Sequence, residues 1–135
     1  MEINKQTDKA LLIIRVLVGL LLILHGFGNL LSGYAFIGSV MENTGLPKFF
    51  AYGAFIGEIV APILLIIGYR ARLASLALSF TMLVAILLAH SGDIFALNQF
   101  GGWAIELQAF YLFGGIAIFF SGAGKHALSI SNDWD

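Results

Sequence analysis

Cysteine is absent from this chain, which excludes disulfide exchange, thiolate metal ligation and persulfide carriage by the chain itself. Charge is scarce. Asp, Glu, Lys and Arg make up 11% of 135 residues, against about 25% in a soluble domain. With 59% of residues hydrophobic, too little polar surface remains to keep a compact domain of this size dissolved. The net charge of −1 offers no basic face to a nucleic acid. Only two prolines occur, and one of them, Pro62, falls inside an apolar run. Internal repeats and low-complexity tracts are also missing.

What is abundant is apolar sequence in long runs. Four segments, at about 10–31, 49–68, 73–89 and 103–120, approach the ~20 helical residues that cross a ~30 Å hydrocarbon core. Lipid offers the backbone no hydrogen-bond partner, so each is expected to be helical. The first run is too long for a signal peptide, carries Arg15 and lacks a small-residue cleavage site, so it reads as retained. The expectation is an all-α, single-domain (1–135) transmembrane four-helix bundle. Lys5, Lys9, Arg15, Arg70, Arg72 and Lys125 would fall on one side and only Lys48 on the other. The positive-inside rule then predicts that both termini are cytoplasmic. The connections 32–48 and 90–102 would face outward, and the tail "KHALSISNDWD" reads as a short solvated end.

This topology gives each polar residue in the runs a depth. His25, His90 and Glu106 fall in the outer half and Glu58 about midway, each on a different helix. Ionisable groups at depth cost a few kcal/mol or more each and usually face the bundle interior or a wet cavity. His25, Glu58 and at least one of His90 and Glu106 are therefore expected to line one cavity, with Arg15 below it. In "IGEIVAP" Pro62 stands four residues after Glu58, so its missing N–H frees the Glu58 carbonyl and predicts a kink beside Gly57. Glu58 reads either as a carboxyl that holds or passes a proton, or as a passenger on a structural kink.

In the first run Arg15, Gly19, Leu22, Gly26 and Asn29 share a stripe about 80° wide, with His25 at its edge. Its glycines permit close approach of a neighbouring helix or ligand. Arg15 either snorkels to headgroups or pairs with Glu58. His25 is either an interhelical hydrogen bond or a ligand-binding group, and His90 either interface decoration or part of the site. Gln108 aligns with Tyr111 and Gly115, on roughly the opposite side from Glu106. Phe49, Phe50, Tyr52, Phe95, Phe100 and Trp103 suit an interfacial aromatic belt.

The order of motifs, "G…LHG" behind an early arginine, "GEI…P…LLIIGYRAR" and then "GAGKHALS", resembles the DoxX family of small four-helix membrane proteins across nearly the whole chain. The resemblance implies a bundle in the bacterial cytoplasmic (inner) membrane, associated with redox systems. The related DoxD proteins are quinone-reducing subunits of a thiosulfate:quinone oxidoreductase, and other members accompany oxidative-stress enzymes. Carried over by position, the motif residues are Arg15, His25, Gly26, Glu58 and Arg72. Asn29 stands where the family often has a lysine.

The function expected is thus a membrane subunit that binds a quinone or similar small apolar ligand in the outer half. Glu58 and His25 would act catalytically, and Arg15, Gly26, Asn29, His90, Glu106 and Gln108 would bind the ligand. Electrons would come from a partner protein, since no flavin, iron–sulfur or haem-attachment motif is present. Alternatives are a non-catalytic subunit of a membrane complex and a small transporter or proton path, the latter calling for a homo-oligomer. A haem held by His25 and His90, or a His/carboxylate metal site, is a weaker alternative.

Overall fold

A computed structural model gives the fold of the chain and describes residues 2–135. Helix α1 spans Glu2–Leu31, α2 Ala35–Asn43, α3 Lys48–Ile67, α4 Ala71–Ala89 and α5 Glu106–Ser121. The four apolar runs emerge as α1, α3, α4 and α5. Helix α2 was not anticipated. The only strand-like pairing among the described residues is a single bridge between Leu97 and Trp103, before α5.

Three helical stretches, Lys5–Leu31, Lys48–Ile67 and Ala71–Ala89, are long and apolar enough to cross a bilayer, and α5 is a shorter apolar helix. Their outer surfaces carry a continuous apolar cover that includes Leu24, Phe27, Ile63, Phe80, Phe110 and Phe113. Water would not tolerate so large a patch, whereas lipid does. Inside, Val18 and Leu22 of α1 pack on Ala61 and Leu65 of α3, Leu78 and Met82 of α4, and Tyr111 and Ile118 of α5. In lipid, such close packing holds helices together, because the surrounding chains are as apolar as leucine.

Two sharp reversals set the order of the bundle. Gly68 ends α3 with φ 72°, a left-handed geometry that glycine adopts without strain. Its N–H reaches the Leu65 carbonyl at 3.1 Å and the Tyr69 N–H reaches Leu64 at 2.9 Å, a Schellman closure that sends α4 back antiparallel. Gly33 and Tyr34, with φ 63° and 58°, close α1 the same way and turn the chain into α2. There Tyr34, Met41 and Ala51 form a second apolar cluster with Ile37, Ala54 and Leu88, which ties α2 to α3 and α4.

The tail is not a solvated end, contrary to the expectation from its composition. Leu128 and Ser129 donate their N–H groups to the carbonyls of Ile67 and Gly68, both at 3.1 Å, which are left open where α3 stops. The Lys125 N–H meets Asp8 at 3.1 Å, and Arg72 donates its N–H to the Trp134 carbonyl at 3.0 Å. Asp135 accepts from the Ser129 hydroxyl at 2.6 Å and the Asn132 N–H at 2.8 Å, with the Arg70 guanidinium 3.6 Å away. Hydrogen bonding by Ser129, then by the Asn132 backbone, with the charge of Arg70, lowers the Asp135 pKa below its ordinary value against the opposing effect of burial.

Candidate functional site

At the end of the bundle opposite the tail lies a cavity of about 500 Å³. Its apolar walls come from α2 (Phe36, Ile37, Val40, Met41), α3 (Phe50, Ala54) and α4 (Phe80, Val84, Leu88). Six polar side chains interrupt them: His25 and Asn29 of α1, Glu58 of α3, Thr81 of α4, His90 just beyond α4, and Gln108 of α5.

Glu58 occupies the deepest constraint. Its segment Ile56–Val60 is a π-helical turn, in which the Ala61 N–H bonds back five residues to Ile56. Single π turns of this kind recur at functional sites. The kink expected beside Gly57 takes this form because Pro62 has no N–H for the Glu58 carbonyl, and widening the turn redistributes the bonds. The freed carbonyl then packs against Gly26. A Cβ on Gly26 would lie 2.5 Å from that oxygen and 2.8 Å from the Glu58 Cβ, so only glycine lets α1 and α3 approach this closely. The Glu58 side chain is 4% exposed, and its Oε2 accepts a 2.7 Å hydrogen bond from the Asn29 amide. No described residue donates to its Oε1.

A second polar group stands on the α4–α5 wall. His90 Nδ1 lies 3.2 Å from Asp93 Oδ2, and its Nε2 lies 3.3 Å from Gln108 Nε2. A carboxylate on one nitrogen and an amide N–H on the other fit the neutral Nδ1–H tautomer, which donates to Asp93 and accepts from Gln108. Both nitrogens are thereby engaged in side-chain contacts. Among the described residues no three His, Asp or Glu side chains cluster as a metal site would require. Tyr34, buried beside this region, has a hydroxyl with no hydrogen-bond partner among the described residues. Burial, then the charge of Glu58, raises its pKa.

Of the residues singled out from sequence, His25, Asn29, Glu58, His90 and Gln108 line this one cavity. Gly26 backs it without lining it. His25 is exposed, with no hydrogen bond among the described residues, and stands where α1 borders the opening. Glu106 is elsewhere. It is exposed, takes a long 3.5 Å hydrogen bond from Asn98 and sits against Gly102 in the connection before α5. The opposition of Glu106 and Gln108 around the helix holds, and Gln108 is the one turned inward.

Arg15 is at the other end. It is 1% exposed and neither reaches headgroups nor pairs with Glu58. Its Nη1 donates to the Ala123 carbonyl at 3.2 Å and its Nη2 to that of His126 at 2.6 Å, so it grips the tail. Sequence reasoning missed Thr81, Asp93 and Tyr34. Only Asp93 left a signal, three residues after His90 in "HSGD".

These features define an all-α, multi-pass membrane protein with a polar-lined cavity at one end of its bundle. The family model for DoxX matches residues 10–91, more than half of the chain, and the protein belongs to the DoxX family. The match takes in α1 from residue 10 and all of α2 to α4 and ends before α5, so "GAGKHALS" lies outside it. No curated protein and no solved structure matches this chain.

Proposed function

We propose that the cavity binds a small lipophilic molecule with a hydrogen-bonding head, of the quinone class, and that the protein serves a membrane redox system as its ligand-binding subunit. The observation that carries this reading is the pairing of two polar stations, Glu58–Asn29 and His90–Gln108, on different walls of one apolar cavity. A volume of about 500 Å³ lies within the range of ~300–1,000 Å³ usual for small-molecule sites. A quinone head needs apolar contact on its faces and a polar group near each carbonyl. Its chemistry is redox, and the electrons would come from a partner protein.

The residues of the chain would orient the head and manage protons. Glu58, held by Asn29, would take or return a proton at Oε1, and His90, set by Asp93, would do so at Nε2 once Gln108 yields. His25 would guard the opening. In this reading both termini are cytoplasmic and the cavity opens in the outer half of a bacterial inner membrane, as the distribution of Lys and Arg supports.

Saturable binding of a decyl-substituted benzoquinone, in its reduced quinol form, to the protein in phosphatidylcholine nanodiscs is the direct test. Binding is expected in the wild type, with a loss of about tenfold or more in His90→Ala, which removes a charge-assisted hydrogen-bond network. An isotherm identical to that of empty nanodiscs would sink the reading.

A further inference from the structure

We infer that the cavity takes a hydrogen-bond-donating head, neutral or cationic, on an alkyl tail, and rejects anionic heads. The inference rests on the ligand-binding reading above and narrows it to heads that carry an O–H or N–H. Of a quinone couple this is the quinol, whose hydroxyl can donate to Glu58, rather than the quinone, whose carbonyls only accept.

Neither lysine nor arginine lines the cavity. Arg15 is held at the other end of the bundle by the carbonyls of Ala123 and His126, and Lys48, next to the cavity-lining Phe50, is paired with Glu42 at 2.7 Å. The one carboxylate that lines the cavity, Glu58, has a single described donor, the Asn29 amide on Oε2. Oε1 has no donor among the described residues, and since Glu58 lines the cavity an O–H or N–H on the ligand head would supply one. On the far wall a charge on His90 would be offset by Asp93 at 3.2 Å, so the station adds no net positive charge. An anionic head would meet a carboxylate across low-dielectric surroundings with no cation to compensate. Like charges roughly 6–12 Å apart at an effective dielectric of ~20 cost roughly a hundredfold to tenfold in affinity.

The walls fit the other half of the molecule. Phe36, Phe50 and Phe80 line the cavity and are also 63%, 50% and 65% exposed on the apolar outer surface. The opening is thus bordered by side chains that face lipid, and an alkyl tail can lie across it into the bilayer. The same aromatic faces attract a cation by their quadrupoles.

The test uses two probes with equal tails, decylammonium and decanesulfonate, on the protein in phosphatidylcholine nanodiscs at pH 8. Thermal shift is read against membrane-bound probe concentration, corrected with empty nanodiscs. Decylammonium should half-saturate at a concentration at least tenfold lower than decanesulfonate. Glu58→Gln should narrow the gap to about threefold or less. Gln108→Lys, which brings an ammonium to the other wall, should narrow it independently, in case the first variant fails to assemble. A sulfonate that binds as well as the amine, or a wild-type preference unchanged in the variants, overturns the inference while leaving a ligand cavity in place. Absence of binding by both probes also overturns it, and the quinol titration then decides separately whether the parent reading survives.

Discussion

At Arg15 the cost of a buried charge is offset by backbone rather than by an acid. Its position among leucines and valines made it legible as an inward-facing group, because a fixed cation in lipid must find partners. Its partners could not be read, since they are carbonyls of Ala123 and His126, more than a hundred residues away, and carbonyls announce nothing in sequence. Glu58 and Asn29 were more legible: both are side chains, on stripes fixed by helical period, and they meet at 2.7 Å. Between them stands Gly26, whose lack of a side chain sets the spacing of α1 and α3. Gly26→Ala should destabilise the protein by about 1–3 kcal/mol, the usual cost of overpacking a tight contact. Gly28→Ala, where nothing lies within 4 Å of the added carbon, should be neutral or stabilising by up to about 1 kcal/mol. Thermal unfolding of both variants in one detergent checks the contrast, and equal midpoints would show that the α1–α3 contact does not depend on the glycine.

Elements were recovered in proportion to how far their stability is local. The ends of α3 and α4 fall within about two residues of the apolar runs, the scatter normal for helix boundaries. Helix α2 escaped because nine residues form no stable helix alone, and it is held by Met41 packing with Tyr34 and Ala51. The tail escaped for a related reason. Its polar composition suits solvent equally well, and its order comes from spare carbonyls at Ile67 and Gly68 and from Asp135. The lowered pKa of Asp135 makes that docking depend on pH. A carboxyl that titrates lower when docked than when free contributes stability fully above its free value, here 3.8, and loses it as pH falls through the lower docked value. The tail should therefore stay docked at neutral pH and begin to release below about pH 4, near the free carboxyl value. Emission from Trp134, next to Asp135 and half-exposed, would follow the release if Trp103 is replaced by phenylalanine. In Asp135→Asn the acid-dependent step should vanish, leaving weaker docking at every pH. A step that persists unchanged would assign it to another group.

For the whole molecule, the tail fixes a relation that charge counting alone only suggests. Lys125 and His126 touch Asp8 and Arg15, so the start of α1 and the end of the chain share one face of the bundle. Four helices that run up, down, up and down return the chain to the side where it began, and α5, 16 residues or about 24 Å long, is the shortest of the four. The connection that precedes it exposes Phe95, Phe100 and Trp103, aromatic groups suited to a membrane interface. The same face holds Lys5, Lys9, Arg70, Arg72 and Lys125, while Lys48 at the cavity end is neutralised by Glu42 at 2.7 Å. Acid partners occur on both faces, since Asp8 lies 3.9 Å from Lys125 and Asp135 3.6 Å from Arg70, so the expectation that the tail face is cytoplasmic rests on the count of Lys and Arg alone. A phosphatase active only outside the cytoplasm should be silent when fused after Asp135 and active when inserted after Ala96, in the connection before α5. The opposite pattern would invert the protein and put the cavity on the cytoplasmic side. Activity at both sites would be incompatible with α5 as a crossing, because the tail could then not dock beside Asp8 in a membrane.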